Sequence, residues 1–260
     1  SMFYVESQYL YDSSNTKKLI NIGRPHVVNN NKSSRRNIAR HGGKKFDGTD
    51  VDFRRVFSSK DYVNLGNEYG ELTGMAVRDN VLRMYLPYGT ASVYLNAVEG
   101  NLPDGTSNYV YTDKVFGTLR WSKEKYGCSD TETITKSADS VYFYDSINLD
   151  VIRDTQGGMI PIGGKISVGE YSNDGKMKSF LTSKVIMGYC PRYEQIYATR
   201  VSDKATVWYS ELYGRWMGYY TIQPSAYVTA QNNLWSVAGI HSFKHHQSGS
   251  NTYDSSGATS

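Results

Sequence analysis

Apolar and aromatic residues recur along this chain in short runs separated by polar turns. The clearest stretch is Gly117 to Gly158. A strand-like run, Gly117–Trp121, leads into a turn segment at Lys125–Asp130. After a polar interval, Ser140–Asp145 places Val, Tyr, Phe and Tyr in succession. A turn follows at Ser146–Asn148, Leu149–Asp154 returns, and Gly157 and Gly158 close the unit. Two β-runs around a short polar turn are the sequence form of a hairpin. The same grammar recurs in Glu194–Val201 and Thr206–Ser210, then in Leu212–Thr221. It recurs again in Asn232–Val237 and Ile240–His245, joined at Ala238-Gly239. The spacing varies, so the repeat is imperfect. Blade-like repeats of roughly 40 to 50 residues read this way.

The upstream half follows suit. Phe3–Leu10 and Lys18–Ile22 read as strands around a polar turn at Asp12–Thr16, and Asp52–Phe57 and Asp61–Leu65 as short elements. Glu71–Val77, a turn at Arg78–Asn80, Val81–Leu86, a turn at Pro87–Thr90 and Ala91–Val98 form a meander. Its interval of about ten residues is that of sandwiches and propellers. Leu102–Thr106 is a strong turn, because Pro103 presets φ and Gly105 accepts positive φ. Tyr109–Thr112 and Val115–Trp121 follow as strands. Met159–Val168 reads as strand and turn, and Ser172–Lys176 as a loop. Lys176–Thr182 is the one helix candidate, with Met177, Phe180 and Leu181 at i, i+3 and i+4. The predicted class is all-β: repeated antiparallel hairpins, β-propeller-like or a fragment of one, with few or no helices. Residues 1–70 are expected to form an N-terminal β/loop region, 71–246 a propeller-like domain and 247–260 a flexible polar tail.

Composition supports the class. The chain has 260 residues, enough for a sizeable core. Its 23 Tyr favour pleated, half-buried surfaces and its 24 Gly supply turns. The net charge of +4 does not by itself imply nucleic acid, but its distribution is uneven. From Arg24 to Lys60 ten Lys and Arg stand against three Asp, so that segment carries +7 and the remainder −3. The segment lacks apolar periodicity and reads as a long surface loop or arm. Arg35, Arg36, Arg40, Lys44 and Lys45 are its candidate contacts to nucleic acid or a neighbouring subunit, set against a plain solvated loop. Cys128 and Cys190 make no disulfide framework and are expected to be free thiols. No run is long or apolar enough to span a membrane, and no signal peptide is read. The opening Ser1-Met2 reads as the remnant of a removed tag, so the natural protein is expected to extend further.

Candidate chemistry is sparse. His241, His245 and His246 suggest a metal site at first glance. On a strand, however, His241 and His245 share one face and His246 points to the other, with no Cys or carboxylate nearby in sequence. A surface or core role is preferred, and no metal site is assigned. Asp145, Asp150 and Asp154 have the residue type for glycoside hydrolysis, yet their placement reads as turns. Ser172–Gly175 is a poor match to the Asp-box turn of sialidase-like propellers. Gly157-Gly158 and Gly163-Gly164 lie between strands, not before a helix, which excludes a phosphate loop. No catalytic residue or cofactor is assigned. Trp208 and Trp235 are expected in the core, while the exposure of Tyr219 and Tyr220 is open.

Three stretches carry a family resemblance: Trp121-x5-Gly127-Cys128 with the Val141–Asp145 strand, Cys190–Tyr197, and Tyr209–Tyr220. Over Glu71 to His246 the chain resembles the tail nozzle or muzzle proteins of short-tailed bacteriophages, especially crAss-like phages. The resemblance implies a virion structural protein, not an enzyme. It implies a ring of copies, six in number, joined to other tail proteins, with platform domains like β-propellers. Genomic DNA would pass through the lumen, touching it transiently, and assembly would occur in the host bacterial cytoplasm. The basic segment has no counterpart in that resemblance. The alternatives are a glycan-binding adhesin that uses exposed Trp and Tyr, and a glycan-cleaving propeller enzyme.

Overall fold

The computed structural model describes residues 36–42, 61–101, 107–163, 166–168, 171–173, 184–202, 205–220 and 222–246. The expected strands at 3–10, 18–22 and 52–57 lie outside them. So do the turn at 102–106, the helix at 176–182 and the tail from 247. The chain divides into two units, Ser1–Asn64 and Leu65–Ser260. In the first, β1 (Ile38–Arg40) and β2 (Tyr62–Asn64) form an antiparallel ladder with Arg40 opposite Tyr62.

The second unit is a succession of antiparallel meanders. Sheet I comprises β3 (Gly74–Arg78), β4 (Val81–Leu86), β5 (Gly89–Asn101) and β6 (Ser107–Trp121), hydrogen-bonded in chain order. Sheet II comprises β7 (Thr135–Lys136), β8 (Val141–Asp145), β9 (Asp150–Thr155) and β10 (Gly158–Pro161), also in chain order. Then come β11 (Ile166–Val168) and β12 (Tyr171–Asn173). Sheet III is built from β13 (Val185–Cys190), β14 (Gln195–Arg200), β15 (Thr206–Ser210) and β16 (Arg215–Tyr220), with β11 added in parallel at β16. Sheet IV is β17 (Ala226–Ala230), β18 (Asn233–Ala238) and β19 (His241–Lys244). Among the described residues there is no α-helix, only a 3-10 turn at Thr131–Thr133. The expected class of repeated antiparallel hairpins is what the structure shows. Its sheets do not close into a ring among the described residues.

Two expectations along sheet I need correction. The two short strands read at 109–112 and 115–121 are one strand of 15 residues. The β5–β6 ladder shifts register twice between Val93 and Ala97, and Asn96 sits there at φ +57°. Bulges of this kind absorb extra residues without ending a strand. Gly117 faces the shift, and any Cβ there would run into the Ala97 carbonyl. Arg78, read as a turn residue, instead ends β3 and is buried.

The four sheets stack face on face. Strand β8 is buried at every position. Val141 and Phe143 point to sheet I, where they join Tyr85 and Cys128 with Ile152 and Met159. Tyr142 and Tyr144 point the other way, onto Val185, Met187, Ile196, Val207 and Trp216 of sheet III. Sheet III repeats the arrangement. Ile196 and Ala198 face sheet II, whereas Tyr197 and Cys190 face Leu234 of sheet IV. Alternation of side chains at period two therefore feeds two cores from one strand. Cys128 and Cys190 are free and buried in different cores.

Tyrosine suits such a strand, because its ring fills the core and its hydroxyl reaches a partner at the rim. Tyr142 donates to Glu211 at 2.6 Å and Tyr85 to Asp154 at 2.9 Å. Trp216, fully buried, donates its indole N–H to the Ile162 carbonyl at 2.9 Å. Trp208 and Trp235 were expected in the core, but both are only half-buried. The contacts of β17 fall on β13 and β14: Thr229 donates to the Tyr189 carbonyl, and Tyr227 meets Gly188 and Thr199. Trp208, on β15, is left at the margin of that cover. Truncating a fully buried Trp costs about 3–5 kcal/mol. Trp216→Ala should therefore lower the stability read from urea unfolding by about that much, and Trp208→Ala by clearly less. Equal losses would contradict this packing order.

Candidate functional site

The three aspartates singled out from sequence share one face of sheet II, directed at sheet I, and all are buried. Asp145 and Asp150 flank the β8–β9 turn as expected. Asp145 Oδ1 accepts from the Ile147 and Asn148 backbone N–H groups, and Oδ2 from the Gly127 N–H and the Asn148 side chain. Asp150 Oδ1 accepts the Gly163 N–H at 2.6 Å, so close that a Cβ at Gly163 would strike the carboxylate. These two carboxylates hold turns.

Asp154 is different. It lies within β9 and is completely buried, against the expectation that it sits at a turn. Its two oxygens take Arg83 Nε at 2.6 Å, Arg83 Nη2 at 2.9 Å, Arg78 Nη1 at 3.3 Å and the Tyr85 hydroxyl. Arg83 and Tyr85 alternate on β4 and so project from one face, and Arg78 stands opposite Val81 two positions before Arg83. A buried carboxylate survives only when paired and hydrogen-bonded. Here two guanidinium groups and a phenol supply that. Burial and the neighbouring Asp154 charge both push the Tyr85 hydroxyl far above its ordinary pKa, so it stays a donor. Sequence reading missed this clamp, although a signal was present. Val81–Leu86 is an apolar strand interrupted by Arg83, the mark of a buried charge that needs a partner, whereas Asp150–Thr155 carries three charged residues and does not single out Asp154. Beside the clamp lies a cleft of about 430 Å³, bordered by Arg78, Asp79, Arg83, Tyr94, Glu124 and Gln156 among others.

The histidines do not converge on one point. His241 is exposed beside Phe243. His245 is buried with Nε2 2.7 Å from Ser236 Oγ, and His246 Nε2 lies 2.9 Å from the Tyr197 hydroxyl. Burial, followed by the His246 charge, lowers the His245 pKa to about 4. Burial and Arg192 also lower that of His246. Tyr219 is exposed, and Tyr220 is half-buried against Tyr197. Nearby turns expose Tyr193 and Tyr213, beneath the guanidinium groups of Arg192 and Arg215 at 5.4 and 5.8 Å.

Of the basic candidates, Arg36 is exposed just before β1, and Arg40 ends that strand with its guanidinium 5.8 Å from the Tyr62 ring. Arg35, Lys44 and Lys45 lie outside the described residues.

Stacked antiparallel meanders, with the three aspartates of the central face tied to turn and clamp donors, make the described second unit an all-β protein. The chain belongs to the Crassvirus muzzle protein family, whose model matches residues 12–238. It is thus a structural protein of a bacteriophage virion, located in the tail. No curated protein matches it. Among solved structures it is similar to a catalytically inactive variant of virginiamycin B lyase from Staphylococcus aureus, crystallised with quinupristin. That similarity is at 11% identity over 79% of each chain, with a TM-score of 0.33.

Two outcomes follow from this geometry. Asp154→Asn leaves two nearly buried guanidinium groups without their counter-charge, and should cost about 3–5 kcal/mol by urea unfolding. His245 takes up a proton more readily unfolded, near its ordinary 6.5, than folded, near 4. Its contribution is therefore present above pH 6.5 and lost as pH falls toward 4, at up to about 1.4 kcal/mol per pH unit. His245→Gln should flatten the profile over that window relative to the natural chain. An unchanged slope would remove His245 as its source.

Proposed function

We propose that this chain forms part of the conduit through which phage DNA leaves the tail, as a ring of six copies joined to other tail proteins and assembled in the host cytoplasm. The carrying observation is the family match over residues 12–238, joined to a second unit whose central sheets are buried on both faces. Such a stack resists shear, because sliding one sheet would open two cores together. It is also the packing of propeller blades, and we read the second unit as propeller-like. Its outward contacts are left to turns and edges, where Ile147, Leu212, Tyr213 and Ile240 are exposed. Exposed Tyr and Leu beside Arg192 and Arg215 suit subunit contacts.

The basic segment fits contact with a neighbouring subunit or with phosphates in the lumen, through Arg35, Arg36, Arg40, Lys44 and Lys45. Phosphate contact of this type would be transient and salt-dependent. Light-scattering mass against concentration, at low and high salt, tests the reading. The expected result is a rise from one chain of 29.3 kDa to a closed ring. Weakening of that ring in high salt, and in the Arg36→Ala/Arg40→Ala variant at low salt, would assign the basic segment to subunit contact. A mass fixed at one chain under all conditions would count against the ring.

A further inference from the structure

The clamp at Asp154 uses only part of its two arginines. Arg83 spends Nε and Nη2 on the carboxylate, with Nη2 also 3.5 Å from Ser122 Oγ. Arg78 spends Nη1 on Asp154, reaching both its side chain and its backbone carbonyl. No described residue accepts from Arg78 Nε, Arg78 Nη2 or Arg83 Nη1, and none of these atoms is sealed from solvent. Both side chains border the cleft of about 430 Å³ and are largely buried, at 9% and 11% exposure. The cleft floor therefore offers guanidinium donors already fixed by Asp154, so little ordering entropy remains to be lost on binding. Two guanidinium charges over one carboxylate leave that floor one positive charge in excess.

The rim has the opposite character. Asp79 and Glu124 supply acceptors, Asn80 and Gln156 amides, and Tyr94 a ring wall. Gly158 borders the cleft beside Glu124: it sits at φ +127°, and a Cβ there would come 3.3 Å from Glu124 Oε1. A simple inorganic anion would meet the floor but leave the rim acceptors without donors. A neutral sugar would satisfy the rim but leave the excess charge unmet. One ligand class satisfies both, a sugar ring bearing a carboxylate. Its carboxylate would take the free guanidinium donors in paired fashion, and its hydroxyls would donate to Asp79 and Glu124. The volume falls within the range of small-molecule sites.

We propose that this cleft between sheets I and II is a binding site for an acidic sugar residue, free or as a unit of a glycan. The proposal is independent of ring assembly, since every residue it uses comes from one chain. Calorimetric titration of the full chain with sodium glucuronate, glucose and sodium acetate tests it. Glucuronate should bind saturably, with glucose and acetate each weaker by about tenfold or more, the loss of one charged hydrogen-bonded contact. Arg78→Lys keeps the charge beside Asp154 but removes the planar guanidinium fork that faces the cleft, and should weaken glucuronate by about tenfold. Gln156→Ala, at the exposed rim, should weaken it by a smaller factor without lowering the melting temperature, which covers the case in which Arg78→Lys fails to fold. Absence of saturable glucuronate binding would overturn the proposal. Acetate binding as well as glucuronate would overturn the sugar assignment, and glucose doing so would overturn the role of the arginines. Indifference of glucuronate binding to Gln156→Ala would place it elsewhere.

Discussion

Strands β8 and β13 have no solvent face. Each lies in a sheet covered on both sides, so successive side chains enter different cores. The demand on sequence is severe. A strand buried on one side can alternate apolar with polar residues, whereas these must be filled at every position. Val-Tyr-Phe-Tyr and Val-Ile-Met-Gly-Tyr-Cys meet it. The aspartate-held turns, the Asp154 clamp and the tyrosine contacts between sheets all accompany that two-sided burial.

Tyrosine makes the arrangement possible without leaving polar groups stranded. A core of Phe alone would bury as much apolar surface but tie nothing at the rim. Here Tyr142 reaches Glu211 across the II–III junction, and Tyr85 reaches Asp154 across the I–II junction. Tyr197 contacts both Gln195 and His246. Each hydroxyl marks a register, since a strand slipped by one residue would turn its ring to the wrong sheet. Gly188 plays the complementary part: its lack of a side chain admits the Tyr227 ring.

The Asp154 clamp sits at the same kind of junction and carries a larger penalty for error. Replacing such a group by apolar residues can be neutral or even stabilising, whereas removing one partner is costly. Its value therefore lies in fixing how sheet I meets sheet II. The same fixation leaves guanidinium donors facing the cleft, so one cluster serves architecture and recognition together.

The hairpin grammar was legible in the chain because local chemistry dictates it. Asp145 and Asn148 close the β8–β9 turn through bonds that span at most three residues. Ala238-Gly239 turns because Gly239 accepts φ +62°. The runs of aromatic and branched residues could only be strands. Sequence could not say which face of each strand meets which neighbour, since that depends on sheets far apart in the chain. Hence Trp216 rather than Trp208 became the central indole, and Arg78 passed from an apparent turn into a buried clamp. Asp154 shows the reason most plainly. Its partners lie 69 to 76 residues away, and nothing local to β9 distinguishes it from a surface aspartate. Local hydrogen bonding and the period of two fix the elements; the pairing of buried charges and the allocation of each face to a core are decided only when the sheets stack.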